Sequence, residues 1–221
     1  MKSFVVTVVF AAFTALASAA VPIPGIVNTG ASFTADQVDT NYSFAAISGT
    51  AVGTGGRGVV AADNSFPFPF WIANTSTSKW LTPTANQAQT YDPSVNGTYR
   101  WTLSFDLTGF DASTALLSGR WAADNTGSLF LNGTQISQIA APIEGHASWT
   151  NIAQVNTGFL AGANVLEFVV TNVGNPTGNP TGLRAEFVSS VSAIPEPQTY
   201  VMLLAGLGAI GFCVRRRQQQ R

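Results

Sequence analysis

From Tyr99 to Leu107 the chain reads Tyr-Arg-Trp-Thr-Leu-Ser-Phe-Asp-Leu, apolar at every odd position and polar at every even one. A strand sends successive side chains to opposite faces, so this segment buries one face and wets the other. A helix would scatter the same residues around its axis. Leu183-Arg184-Ala185-Glu186-Phe187 repeats the pattern. Gly127 to Leu131 runs into Asn132-Gly133, a tight-turn dipeptide, and out again through Thr134 to Ser137, which predicts a hairpin. Asn164 to Thr171 is a further strand rich in β-branched residues. Asn96-Gly97 and the segment 175–182, NPTGNPTG, supply turns. Tyr42 to Ile47 gives a weaker strand signal in a Gly/Thr-rich first third, and no central stretch shows helical periodicity. Several short strands punctuated by turns predict an all-β sandwich.

Composition narrows the function. Charged residues are 10% of the 221, Gly and Pro together number 32, and lysine occurs twice. Such a chain lacks the residues that cover exposed helices, which excludes a helical bundle. Between residues 20 and 194 there are five basic and ten acidic side chains, a net charge of −5. That field repels nucleic acid rather than attracting it. The lone cysteine, Cys213, lies near the C-terminus, so the central region uses no disulfide. At about 175 residues it is long enough to build a core without one.

Both ends read as addresses. Lys2, the apolar run Phe4 to Leu16 and the small residues Ala17-Ser18-Ala19 form a secretory signal peptide over residues 1–20, with cleavage after Ala19 or Ala20. At the other end, Thr199 to Val214 is uncharged, bordered by Tyr200 and by Arg215, Arg216 and Arg217. It predicts a short transmembrane helix over 199–214 with the arginines cytoplasmic and the sandwich, 21–193, outside. Gly206, Gly208 and Gly211 would let that helix lie close to another.

Pro195-Glu196-Pro197, a short glycine-containing apolar helix and an arginine cluster, in this order at the extreme C-terminus, resemble the PEP-CTERM sorting signal over residues 194–221. The resemblance implies recognition and cleavage near the Pro-Glu-Pro by a membrane-embedded exosortase. It also implies transient membrane anchoring and a final place at the cell surface or in an exopolysaccharide matrix. Two prolines hold the motif extended, as a protease substrate requires.

A second resemblance lies in the centre. Gly119-Arg120-Trp121-Ala122-Ala123-Asp124-Asn125, then Leu129 to Gly133, then Phe159 to Phe168 resemble jelly-roll domains of exported PEP-CTERM proteins and galactose-binding-like sandwiches. The implied fold is a jelly roll; the implied roles range from sugar binding to pure structure.

Candidate chemistry is sparse. His146 is the only histidine, which excludes a multi-histidine metal site. Gly145-His146-Ala147-Ser148 lacks a nucleophile elbow and reads as a surface loop. A glycosidase needs two facing carboxylates, and no motif singles out a pair among the ten acids. No catalytic residue is assigned. Asp124-Asn125 and Asp63-Asn64 are turn formers first and calcium ligands second; a structural calcium is expected, if at all, at Asp124 and Asn125. All five tryptophans lie between the addresses. Trp101 and Trp121 sit at alternating or motif positions and read as core. Trp71, Trp80 and Trp149 fall in or near loops and are the candidates for exposed sugar-stacking faces. Phe66-Pro67-Phe68-Pro69-Phe70 predicts an edge or covering segment. The expected function is therefore a non-enzymatic exported surface protein that binds carbohydrate. The alternatives are a glycan hydrolase and a ligand-free spacer.

Overall fold

The computed structural model describes residues 19–140, 144–194 and 197–219. The leader up to Ser18 and the pair Pro195 and Glu196 lie outside the described residues. Ala20–Ile194 forms one compact unit, separate from that of the C-terminal helix.

The strands are β1 (Ala20–Val21), β2 (Val38–Ser48), β3 (Arg57–Val60), β4 (Leu81–Thr82), β5 (Gly97–Asp106), β6 (Phe110–Asp124), β7 (Thr126–Leu131), β8 (Thr134–Ile139), β9 (Thr150–Val155), β10 (Ala163–Asn172) and β11 (Gly182–Ala193). They follow one antiparallel path, β8-β7-β10-β5-β2-β3-β4-β11-β6-β9, with β1 paired to β11. The short β3 and β4 form the corner where the path turns from the β8-to-β2 layer to the β11-β6-β9 layer. At the open ends, Ser137 of β8 donates its hydroxyl to the Asn151 carbonyl of β9 at 3.4 Å. The result is a jelly-roll β-sandwich.

The layers meet through the alternating residues. In β5, Tyr99, Trp101, Leu103 and Phe105 are buried, while Arg100, Ser104 and Asp106 face solvent. In β10, Leu166, Phe168 and Val170 point inward beside them. Trp121 of β6 packs on Phe168 with ring centroids 5.4 Å apart. The hairpin β7–β8 turns on Asn132 and Gly133, whose φ values of 49° and 82° match the mirror-image turn that Asn-Gly favours.

β11 departs from expectation. Its alternation predicts Arg184 and Glu186 in solvent, yet both are buried along with Leu183 and Ala185. The reason is tertiary: segment 71–80 folds over the outer face of β11 and makes a second, smaller core from Ala61, Trp71, Trp80 and Ala122.

The two ends of the sandwich lie together. Ala20 pairs with Ser192 and Val21 with Val191, at the far end of β11. Beyond it comes a 22-residue helix, α1 (Pro197–Gln218), with Arg215, Arg216 and Arg217 in the last turn, where cations oppose the helix dipole. Among the described residues no helix is long and apolar enough to cross a membrane. The segment expected to span is helical.

Candidate functional site

The site grows from the end of β6. Asp124, its last residue, pairs with Gly182, the first of β11. Thr181 Oγ1 donates to the Asp124 carbonyl at 2.9 Å. The Asn125 N–H donates to Thr171 O at 2.9 Å, and its side-chain Oδ1 accepts from Val173 N–H at 2.8 Å. The segment leading to β9 is pinned here, because the Gly145 N–H donates to Asn125 O at 2.9 Å. A Cβ at position 145 would lie 2.5 Å from that oxygen and 2.7 Å from Ala123 O, so only glycine fits. This close approach sets Glu144 and His146 on either side, facing Asp124.

Asp124 is buried, and its carboxylate is bracketed. Oδ2 accepts from Trp71 Nε1 at 2.9 Å, and Oδ1 lies 3.3 Å from His146 Nδ1. Glu144 Oε2 lies 3.6 Å from the same nitrogen, and Asn125 Nδ2 donates to it at 3.4 Å. Burial raises the Asp124 carboxyl above the ordinary carboxylate value, with His146 and Trp71 pulling the other way. The Asp124 carboxylate raises His146, burial opposes this, and Glu144 adds to the rise.

These groups floor a cleft of about 370 Å³ at this pole of the sandwich. One wall is the Phe-Pro-Phe-Pro-Phe segment, with Phe66 and Phe70 edge-to-face at 6.2 Å and Phe70 66% exposed. The other is the NPTGNPTG loop, which contributes Asn175, Asn179 and Pro180. Open aromatic rings beside amides, a carboxylate and an imidazole suit a polyhydroxylated ring: apolar C–H faces pack on the aromatics, and hydroxyls meet the polar groups.

The tryptophans occupy other roles than expected. Trp71 and Trp80 are buried, not open platforms, with rings 4.2 Å apart. Trp80 Nε1 donates to Ile72 O at 2.8 Å, and Trp71 supports the cleft from beneath through Asp124. Trp149 is partly covered; the guanidinium groups of Arg120 and Arg184 lie 4.4 and 4.6 Å from its ring centroid. A Ser/Thr-rich loop reads as surface, but here Arg184 binds it down: Nη1 donates to Ile72 O and Ala73 O, Nη2 to Thr75 Oγ1, and Nε to Ser78 Oγ. Trp101 and Trp121 are core, as expected.

The calcium expectation also changes. Asp124 Oδ2 accepts from Trp71, Oδ1 faces His146 Nδ1 at 3.3 Å, and the Asn125 amide is tied to Val173 and Glu144. Among the described residues no group of three or more His, Cys, Asp or Glu side chains is arranged to hold a metal ion. Asp63 and Asn64 are exposed loop residues. The sequence reading missed Phe66, Phe70, Glu144 and the burial of His146 against Asp124. The repeated Phe-Pro was the available signal for the first two; for His146 there was none.

Residues 193–217 match the PEP-CTERM protein-sorting motif. The chain therefore ends in the sorting address of an exported protein. A comparison with curated proteins finds no match. Among solved structures, the chain is similar to a β-glucosidase from Kluyveromyces marxianus, at 10% identity and a TM-score of 0.36, over 76% of this chain but only 19% of that one. It is similar to TmCBM61, solved with β-1,4-galactotriose, at 8% identity and a TM-score of 0.37, over 68% of this chain and 88% of that one. A family 35 carbohydrate-binding module from an environmental isolate is similar at 12% identity and a TM-score of 0.30, over 72% and 97%. The chain thus spans about a fifth of the length of the β-glucosidase it matches.

Proposed function

We propose that this is an exported, non-enzymatic surface protein whose sandwich binds carbohydrate in the Asp124–His146 cleft. The signal peptide over 1–20 takes the chain across the inner membrane, with cleavage after Ala19 or Ala20. The C-terminal helix then holds it transiently in that membrane, its three arginines inside. An exosortase acts at Pro195-Glu196-Pro197 and leaves the domain at the cell surface or in the matrix. The sorting half of this reading is supported by the motif match at 193–217.

The binding half rests on one observation: solvent-exposed phenylalanine rings stand beside a pinned set of hydroxyl-matching polar groups in a preformed cleft. Trp71 takes part from below, as the group that fixes Asp124, while Trp80 and Trp149 serve the scaffold. Polysaccharide pull-down with the purified chain tests it. Retention on at least one glycan, lost in Phe70→Ser with the fold intact, is the expected result; no retention on a broad panel would sink the binding reading. Intact-mass analysis of protein recovered from its host tests sorting, which predicts a new C-terminus near Pro195 to Pro197 and loss of Arg221.

A further inference from the structure

The charges around the cleft differ from those elsewhere on the sandwich. Its lining includes the carboxylates of Asp124 and Glu144, the imidazole of His146 and the amides of Asn125, Asn175 and Asn179, and no lysine or arginine among the described residues. Glu144 is the outermost of the charged groups, with its side chain 64% exposed. Its Oε2 accepts from Asn125 Nδ2 at 3.4 Å and lies 3.6 Å from His146 Nδ1, while Oε1 takes no hydrogen bond among the described residues. The groups facing His146 are Asp124 from β6 and Glu144 from its own segment, both anionic. Nδ1 points to these two, so Nε2, on the opposite side of the ring, is the nitrogen available to a ligand.

We propose that the cleft selects neutral pyranoses and rejects uronic acids, with Glu144 as acceptor and His146 Nε2–H as donor to ring hydroxyls. This rests on the carbohydrate reading above. A hydroxyl both donates and accepts, so it satisfies either partner, whereas a carboxylate only accepts: it meets at most the one His146 Nε2–H, finds no guanidinium or ammonium, and faces two carboxylates that outweigh the single imidazolium. It would instead lie beside Glu144, in a domain whose net charge of −5 adds a repelling field. The donor at Nε2 is present in the imidazolium and in the Nε2–H tautomer. The carboxylates draw the neutral ring's proton to Nδ1, however, so deprotonation removes the donor from the cleft side. The Asp124 carboxylate beside the ring shifts that loss to higher pH than for a free imidazole.

The test uses the full purified chain and matched trimers: a galacturonic acid trimer and its carboxyl-reduced galactose form, with the glucuronic/glucose and mannuronic/mannose pairs alongside. At low salt and pH 6, in at least one pair, the neutral trimer should bind at least about tenfold more tightly than its uronate. Glu144→Gln should shrink that ratio to within about twofold, and added salt should narrow it in the parent. Neutral binding should weaken as pH rises from 5.5 to 8.5, and His146→Gln should flatten that profile. A uronate that binds equally or more tightly in every pair that binds, or a ratio unmoved by Glu144→Gln, overturns the selectivity while leaving carbohydrate binding standing. Failure of all six trimers to bind overturns both.

Discussion

Two charge clusters sit on the same outer side of β11, and they are finished to different degrees. In the first, Arg184, Glu186 and Arg120 close on one another: Arg120 Nε and Nη2 both reach Glu186 Oε2 at 2.7 Å, and Ser78 Oγ bridges from Glu186 Oε1 to Arg184 Nε at 2.7 Å on each side. In the second, Asp124, His146 and Glu144 bring two carboxylates to one imidazole, and the outer carboxylate stays in solvent. A buried charge that is paired and hydrogen-bonded holds structure; one left with spare capacity at an opening is free to meet a ligand. The contrast separates a joint from a site using the same residue types.

The largest effect should come from opening the joint. Arg184 is 1% exposed, and Arg184→Met leaves Glu186 to Arg120 and Ser78 while stranding the buried carbonyls and hydroxyls that fix segment 72–78. A loss of about 3–5 kcal/mol is expected, read as a melting temperature lower by roughly 10 °C or more. Trp80→Ala removes the centre of the small core and should cost a similar amount, about 3–5 kcal/mol, in denaturant unfolding. Phe70→Ser, two-thirds exposed although next to Trp71 in the chain, should stay within about 0.5 kcal/mol of the parent while losing glycan retention. A Phe70 variant as unstable as the Trp80 one would erase the distinction between rim and core.

Acid and base should act on the clusters in opposite directions. For Glu186, burial pushes up, but the Ser78 hydroxyl and both arginines more than offset it and hold the carboxyl below its ordinary value of 4.5. Its stabilisation is therefore complete above that value and is lost as pH falls through the depressed one. His146 is raised, so its contribution is complete below 6.5 and is lost as pH rises through the raised value. Asp124 is raised as well; its share is complete below 3.8 and fades as pH climbs through its own raised value. Melting curves from pH 6 to 8.5 should show a small decline that vanishes in His146→Gln. The finest probe is an imidazole titration by NMR: Asp124→Asn should bring the His146 midpoint down toward 6.5, and an unmoved midpoint would mean the contact does not set it.

What could be read in advance follows the range of the interaction. The alternation of β5, the Asn132-Gly133 turn and the arginine-ended tail are local patterns, each fixed by a few consecutive residues. The burial of Arg184 was illegible, because its partner Ser78 is 106 positions away in the chain. Trp80 looked exposed for the same reason: its loop is polar, and the polarity is spent on Arg184 and on its own backbone rather than on water. His146 seemed a stray surface residue, since nothing near it in sequence shows that the end of β6 delivers a buried carboxylate to its ring.

The register of β11 sets the compass of the whole domain. Its first residue, Gly182, stands at Asp124, and ten positions on, at about 3.3 Å each, Ser192 stands at Ala20, so some 33 Å separate the cleft from the pairing of β1 with β11. Within the sandwich, the cleft and the paired chain ends therefore lie at opposite ends of one strand, so a group bound at one is a full strand length from the other.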